Sequence, residues 1–393
     1  MTPITVVGID DRPPAPWAAA RLAAATLVVG AARHLDAVPV PARARRHVLG
    51  GLTAGLDAVA GHAGPVVVLA SGDPGFFGIV RALRCRGLDV DVAPAVSSVS
   101  AAFAAVATSW DDAVVVSAHG RELRRAVNAC RALPKVAVLT APGGGPAEIG
   151  AALVGCQRRV VVGERLGSAE QRVTECTVEE AAQRRWDDPN VVLVLADRGS
   201  DRGWAHPRRQ GPRRWGLPED VFAHRDGMVT KAEVRATALA HLGPGLGDLV
   251  WDVGSGSGSV AVECARFGAA VVAVDRDQAQ CARIRRNAAA HDVDVLVVDG
   301  DAPECLRPLP DPDAVFVGGG GVDVVTAAAG RAPRVVVVAL AAVDRVGGVR
   351  DALAAASYDV GGVALAASRF AALPDGATRL VAANPVFVVW GHR

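Results

Sequence analysis

At 393 residues, with 51% hydrophobic and 21% charged residues, the chain is neither disordered nor fibrous and is long enough for two domains that each bury a core. A formal net charge of +1 argues against a dominant nucleic-acid surface, and the apolar runs are too short to span a bilayer. The cysteines stand singly with no CxxC pair, so neither a zinc site nor a disulfide framework is expected and no metal is assigned.

The opening MTPITVVGID runs into an apolar stretch with no basic region or cleavage site, which makes the cytoplasm the expected location. Lys135 and Lys231 are the only lysines, so arginine supplies nearly all of the 42 basic residues. Arginine forks suit a solvated surface and a ligand rich in carboxylates equally well, and composition leaves both open.

From the start to about Ala196, strand patterns (ITVVGI, TLVVG, PVVVLA, AVVVSA, KVAVLTA, NVVLVLA) alternate with helical ones (GIVRALRCR, SVSAAFAAVATS, RELRRAVNACRAL, PAEIGAALVG). Short strands buried on both faces predict an α/β unit with parallel sheet. Within it, VVVLASGDPGFFGIVRAL sets Ser71, Gly72, Asp73, Pro74 and Gly75 in a tight turn between strand and helix. Taken alone, that is a strand-to-helix loop with Asp73 as the helix cap.

Residues 198–218 are rich in Gly, Pro and Arg without apolar periodicity and read as an exposed linker, with Trp204 and Trp215 expected to pin it to a domain surface. A second α/β series follows over 219–393. The helix pattern TKAEVRATALAHL leads into strands DLVWDVG, AVVAVD, DVLVVDG, DAVFVGG and RVVVVAL, a doubly wound unit of its own.

In LVWDVGSGSGSVAVECA the first of these strands ends at Asp252 and passes through Gly254, Ser255, Gly256, Ser257 and Gly258 into a helix. Glycines there let backbone approach a ligand and free the helix N-terminal amides. The next strand ends in Asp275, whose carboxylate can accept both hydroxyls of a ribose. S-adenosylmethionine (SAM) and nicotinamide sites share that requirement. The dinucleotide fingerprint wants its third glycine one position later, at Ser259, so the spacing favours SAM. The third strand ends at Asp299 and Gly300, followed by Asp301 and Ala302, where an adenine edge would lie; an Asp capping a turn is the competing reading.

Three segments, GMVTKAEVRA, WDVGSGSGSVAVE and GDAPECLRPLPDPDAVFVGGGG, resemble in order and spacing the carbon-15 half of the decarboxylating precorrin methyltransferases over most of residues 219–330. The resemblance implies that Thr230, the Gly254–Gly258 loop, Asp275 and Ala302 contact SAM, and that the run Gly318, Gly319, Gly320 and Gly321 faces the tetrapyrrole. Asp275 stands where that family usually has Glu, keeping the carboxylate with a shorter reach. The stretch RVVVVALAAVDR lacks the polar residues the family shows there.

SGDPG, in turn, resembles the GDP loop of tetrapyrrole methylases, with further matches in APAVSSVSAAFA, SAHGRE, KVAVLTAPG and VGERLGSAEQRV across residues 3–196. It implies a SAM site between two α/β lobes, with Gly8, Gly72, Asp73, Pro74, Ser97 and Ser98 at the cofactor and Arg121 meeting a substrate carboxylate. His119, alone at a strand end, reads as structural. Asp10 replaces a second loop glycine, which implies an altered approach to the substrate.

The expected architecture is therefore a tetrapyrrole-methylase-like domain of two α/β lobes (1–197), the linker, and a doubly wound, Rossmann-like SAM methyltransferase domain (219–393). Two SAM sites per chain, carbon-5 methylation by the first domain, carbon-15 methylation with loss of the ring-C acetate carboxyl by the second, and a homo-oligomer are what the resemblance implies. Methyl transfer needs in-line positioning at about 3–3.5 Å more than acids and bases. The absence of a Ser-His-Asp or paired-carboxylate motif agrees with that. Two alternative readings are opposed by particular residues. A nicotinamide-dependent oxidoreductase on the C-terminal unit is opposed by Ser259 and Asp252, and a non-catalytic tetrapyrrole-handling N-terminal module by the intact SGDPG and ERLG.

Overall fold

A computed structural model describes residues 4–10, 12–197, 212, 214–225, 227 and 229–393, so most of the expected linker, Trp204 included, lies outside the described residues. Three α/β layers follow one another along the chain. In the first, strands run in the order Arg45–Val48, Leu27–Gly30, Val66–Ser71, Ile4–Ile9 and Val90–Ala93, all parallel. Alternate residues of the apolar runs feed opposite cores: Val6, Val29 and Val68 pack on one face, Val7, Val28 and Val67 on the other.

The second sheet has the order Val114–Ser117, Lys135–Leu139, Asn190–Leu195, Arg159–Glu164 and Arg172–Thr177, and only its first pair is parallel. Parallel sheet was expected throughout this half. Burial of both faces reports only that helices cover a sheet. The connection from Glu164 to Arg172 is too short for a crossover and turns its strands antiparallel.

In the C-terminal unit five parallel strands stand in the order Leu296–Asp299, Ala270–Asp275, Leu249–Val253, Ala314–Val317 and Val335–Leu340. Val386–His392 and Asp359–Leu365 extend the sheet antiparallel, and Ser368–Ala372 pairs with Thr378–Ala382 as a hairpin. The helix expected from TKAEVRATALAHL spans Ala232–Leu242 and ends at Gly243 in the left-handed region, φ +52°. Trp215 packs on this unit, 6.1 Å from the Phe267 ring.

The helix Leu123–Ala132 docks the second lobe onto the C-terminal unit. Buried Asn128 donates to the Gly247 carbonyl at 3.1 Å, Arg124 to Asp313 at 2.8 Å and Arg158 to Asp294 at 2.8 Å. Gly247 and Asp313 precede their strands, so this contact uses the amino-terminal end of the sheet and leaves its carboxyl end free. No helix among the described residues is long and apolar enough to cross a membrane.

Candidate active sites

Crevices in open α/β sheets form beyond the carboxyl ends of strands, where strand order reverses. In the C-terminal sheet that point lies between Leu249–Val253 and Ala314–Val317. The two glycine runs meet there. A Cβ on Gly254 would stand 2.7 Å from the Gly319 nitrogen, and one on Gly318 would stand 2.9 Å from the Gly254 carbonyl oxygen. Backbone packs on backbone at a distance only glycine permits, and Gly318, Gly319 and Gly320 are left exposed along the rim.

The loop itself is wound by hydrogen bonds. Gly254, Gly256 and Gly258 all have positive φ. Asp252, buried beneath the loop, accepts from the Ser255 hydroxyl at 2.7 Å and the Ala261 amide at 2.9 Å. Burial pushes its carboxyl up to about 6, against the Ser255 and Ala261 bonds that favour the charge. Asp252 therefore shapes the loop from below. Ser257 and Gly258 are also buried, whereas Gly254, Ser255 and Gly256 are partly open and a Cβ on Gly256 would meet nothing within 4 Å.

Asp275 stands half-buried at the next strand end. Its two oxygens accept from the Gly256 amide at 2.7 Å and the Asp277 amide at 3.0 Å. Each oxygen keeps a further lone pair, so the fixed carboxylate has capacity for two hydroxyls. Asp301 is exposed, 3.9 Å from Arg276, and Ala302 packs partly into the core. Thr230 is partly open, with its carbonyl held by Arg235.

The parts that fix this site escaped the sequence reading. Arg235 and Glu263 form an ion pair in which both side chains are fully buried. Glu263 also accepts from the Gly216 and Leu217 amides at 2.7 and 2.9 Å, while Arg235 donates to the Leu217 and Thr230 carbonyls. Asn287 pairs with both backbone groups of Ala223 and donates to the Ser257 carbonyl at 2.7 Å. Gly216, Leu217, Ala223 and Thr230 are thus strapped beside the glycine loop. The available signal was an acid inside the apolar helix VAVECA.

In the N-terminal half, three loops converge at the carboxyl edge of the first sheet. Gly8 lies inside its strand, where a Cβ would stand 2.2 Å from the Gly72 carbonyl oxygen. Gly72 has φ +57° and donates to the Ile9 carbonyl at 2.9 Å. Gly8 is therefore the floor on which the SGDPG turn rests. Asp73 caps that turn, accepting from Gly75 at 2.8 Å; the helix begins only at Ile79 with Gly78 as its cap, a correction to the helix-cap reading. Pro74 is buried. Ser97 accepts from Ser100 at 3.1 Å and caps the helix Ser98–Ala105.

A cleft of about 800 Å³ opens between the two lobes, with Gly72 and Ser98 on one wall and Gly163, Leu166, Gly167 and Asn190 on the other. Asp10 bridges its mouth by accepting from the Val96 amide at 3.0 Å and pairing with Arg12. Burial, which raises the Asp10 pKa, is outweighed by Arg12 and the two backbone amides, so the carboxyl lies below its ordinary value. Arg121 and His119 are exposed on the turn after Val114–Ser117, outside the cleft lining. Arg33, His34, Ser71 and Thr140 line the cleft and carried no signal in the sequence beyond SGDPG itself.

Comparison with known proteins places both halves. Residues 15–182 match the family model of tetrapyrrole (corrin/porphyrin) methylases, and residues 220–389 match that of a precorrin methyltransferase domain. The precorrin-6Y C(5,15)-methyltransferase (decarboxylating) of a Sinorhizobium species is 36% identical over 333 residues, covering 81% of this chain and 78% of the relative. Its counterpart from Mycobacterium tuberculosis H37Rv is 34% identical over 268 residues, 64% of this chain and 63% of the relative. A probable cobalt-precorrin-6B C(15)-methyltransferase (decarboxylating) of Pyrobaculum calidifontis is 41% identical over 133 residues, 32% of this chain and 68% of the relative. On its own folds, its glycine-built crevices and these relatives, the chain belongs to the family of decarboxylating precorrin-6Y C(5,15)-methyltransferases.

Proposed function

We propose that the chain methylates one precorrin at two carbons from two SAM sites: carbon 5 in the cleft of residues 4–197, carbon 15 with loss of the ring-C acetate carboxyl in the crevice of residues 219–393. The observation that carries the reading is that each half has a glycine-built crevice at the carboxyl edge of its own sheet, on separate folds. Bound SAM supplies an electrophilic methyl group on a sulfonium. The chain's part is to hold the cofactor and aim the macrocycle, which is where most of the barrier is removed in a displacement of this type.

In the C-terminal crevice, Gly256 and Asp275 fit the group. The open side of Gly256 admits the cofactor, and Asp275, fixed by two amides, is assigned the ribose. Thr230, Ser255, Asp301 and Ala302 are assigned to the rim of that pocket, with Asp252, Ser257 and Gly258 shaping it from inside. Gly318, Gly319 and Gly320 present flat backbone to the ring. In the cleft, Gly72, Asp73, Pro74 and Ser98 are assigned the cofactor side, with Gly8 and Ser97 holding them in place. Arg121, exposed beyond the cleft edge, is assigned to an outlying carboxylate. The near-neutral charge supports a small-molecule partner in place of nucleic acid, and the exposed Phe370 and Leu380 of the hairpin support a homo-oligomer, for which the cytoplasm is the proposed location.

Calorimetry on the intact chain tests the two-site reading. Two SAM molecules are expected to bind, and Asp275→Ala is expected to weaken one of them at least tenfold, the loss of a charge-assisted contact of about 1.5–3 kcal/mol. A stoichiometry of one, or unchanged affinity at both sites in the folded variant, contradicts it.

A further inference from the structure

Charges lining the interlobe cleft are nearly all spent. Asp10 is paired with Arg12 at 2.6 Å, and Glu170 with Arg165. On the second lobe, Thr140 donates to the Asn190 carbonyl at 2.6 Å, and Asn190 donates to the Asp187 carbonyl at 3.1 Å and to the Asp188 side chain at 3.0 Å. Arg33 differs. It is exposed, lines the cleft, and among the described residues forms no ion pair; its contact is a hydrogen bond from Nη2 to the Ser71 hydroxyl at 3.0 Å.

Two parallel strands create this arrangement. Ser71 is the last residue of Val66–Ser71, beside the SGDPG turn, and Arg33 and His34 follow the neighbouring strand Leu27–Gly30. His34 is buried, with Nε2 2.9 Å from the same Ser71 hydroxyl and Nδ1 without a partner among the described residues. Burial, then the nearby Arg33 charge, push the His34 imidazole down to about 4. At neutral pH the cluster therefore carries one positive charge, that of Arg33, with a hydroxyl fixing one edge of its fork.

We propose that Arg33, held by Ser71 with His34 behind it, is a carboxylate subsite of this cleft, and that it takes one acidic side chain of the tetrapyrrole. The subsite rests on the reading that the cleft holds the ring for carbon-5 methylation. A guanidinium presents donors in a planar fork that matches a carboxylate bidentately. Ser71 occupies one donor and leaves the remainder of the fork directed by a fixed hydroxyl. Because Ser71 borders Gly72, anchoring one acid here sets the ring against the loop assigned to the cofactor. Arg33 is a positioning residue for the macrocycle, and the other carboxylate available to it is that of the methionine portion of SAM.

The test uses the full chain, with Arg33→Ala and Arg33→Lys. The KM of the precorrin for carbon-5 methylation is expected to rise about tenfold or more in Arg33→Ala and to recover in part in Arg33→Lys, with SAM affinity unchanged within twofold. Precorrin titration of a chain whose C-terminal pocket is closed by Gly256→Arg should show the same loss without requiring turnover. A fall in SAM affinity with ring affinity intact makes the carboxylate the cofactor's and overturns the proposal, as does a variant unchanged in both. If the unmodified chain places no methyl on carbon 5, the assignment of the cleft itself fails, whereas normal carbon-5 methylation with an unaltered KM in Arg33→Ala removes only the subsite.

Discussion

A chain carrying Gly256→Arg is expected to add one methyl group to the precorrin and to release no carbon dioxide. Gly256 has φ +57°, a backbone state that an L side chain adopts only with strain, and its missing side chain faces open space at the centre of the crevice. Arginine there fills the volume assigned to the cofactor and disturbs the amide that fixes Asp275. The N-terminal cleft lies on another fold. The contact between the halves, through Asn128, Arg124 and Arg158, is made at the opposite end of the C-terminal sheet from the crevice. Carbon-5 methylation should therefore persist on a substrate that does not require the other step first. Mass spectrometry of the product reads both changes. Carbon dioxide loss from a folded Gly256→Arg chain would place decarboxylation outside this pocket.

Glu263→Ala is expected to destabilise the C-terminal unit by about 3–5 kcal/mol, the cost of leaving Arg235 charged and buried without its partner. Three donors lose their acceptor together: Arg235 and the amides of Gly216 and Leu217. Because Arg235 also holds the Thr230 carbonyl at the rim of the crevice, cofactor affinity should fall with stability. Glu263→Gln, which keeps an acceptor oxygen, should lose less. Chemical denaturation of the intact chain measures the effect, and a change below about 1 kcal/mol in Glu263→Ala would show that the strap is anchored elsewhere.

The sequence was legible where a residue's chemistry and its local pattern act together. Asp252, the glycine spacing and Asp275 follow one another along a single strand–turn–helix–strand unit. Interactions across long separations were not legible. Nothing near Asn287 announces that it will bind Ala223 and the Ser257 carbonyl, because both partners reach it only after the sheet has formed. The same holds for Arg33 and Ser71, which meet because Leu27–Gly30 and Val66–Ser71 are neighbouring strands. Strand direction in the second lobe was misread because burial reports coverage by helices and says nothing about pairing. Of the last two strands of the large sheet, Asp359–Leu365 was missed because Gly361 and Gly362 break its β-branched pattern. The first of these glycines makes room for Trp390, whose Nε1 would lie 2.5 Å from a Cβ there.

Supplying the unmodified chain with methyl-labelled SAM and a precorrin, and analysing the product by mass, tests whether two methyl-transfer sites act on one tetrapyrrole. Two labelled methyl groups per ring, at carbons 5 and 15, and loss of one carboxyl as carbon dioxide are expected. A product that carries a single labelled methyl at saturating SAM, with both pockets intact, would contradict it.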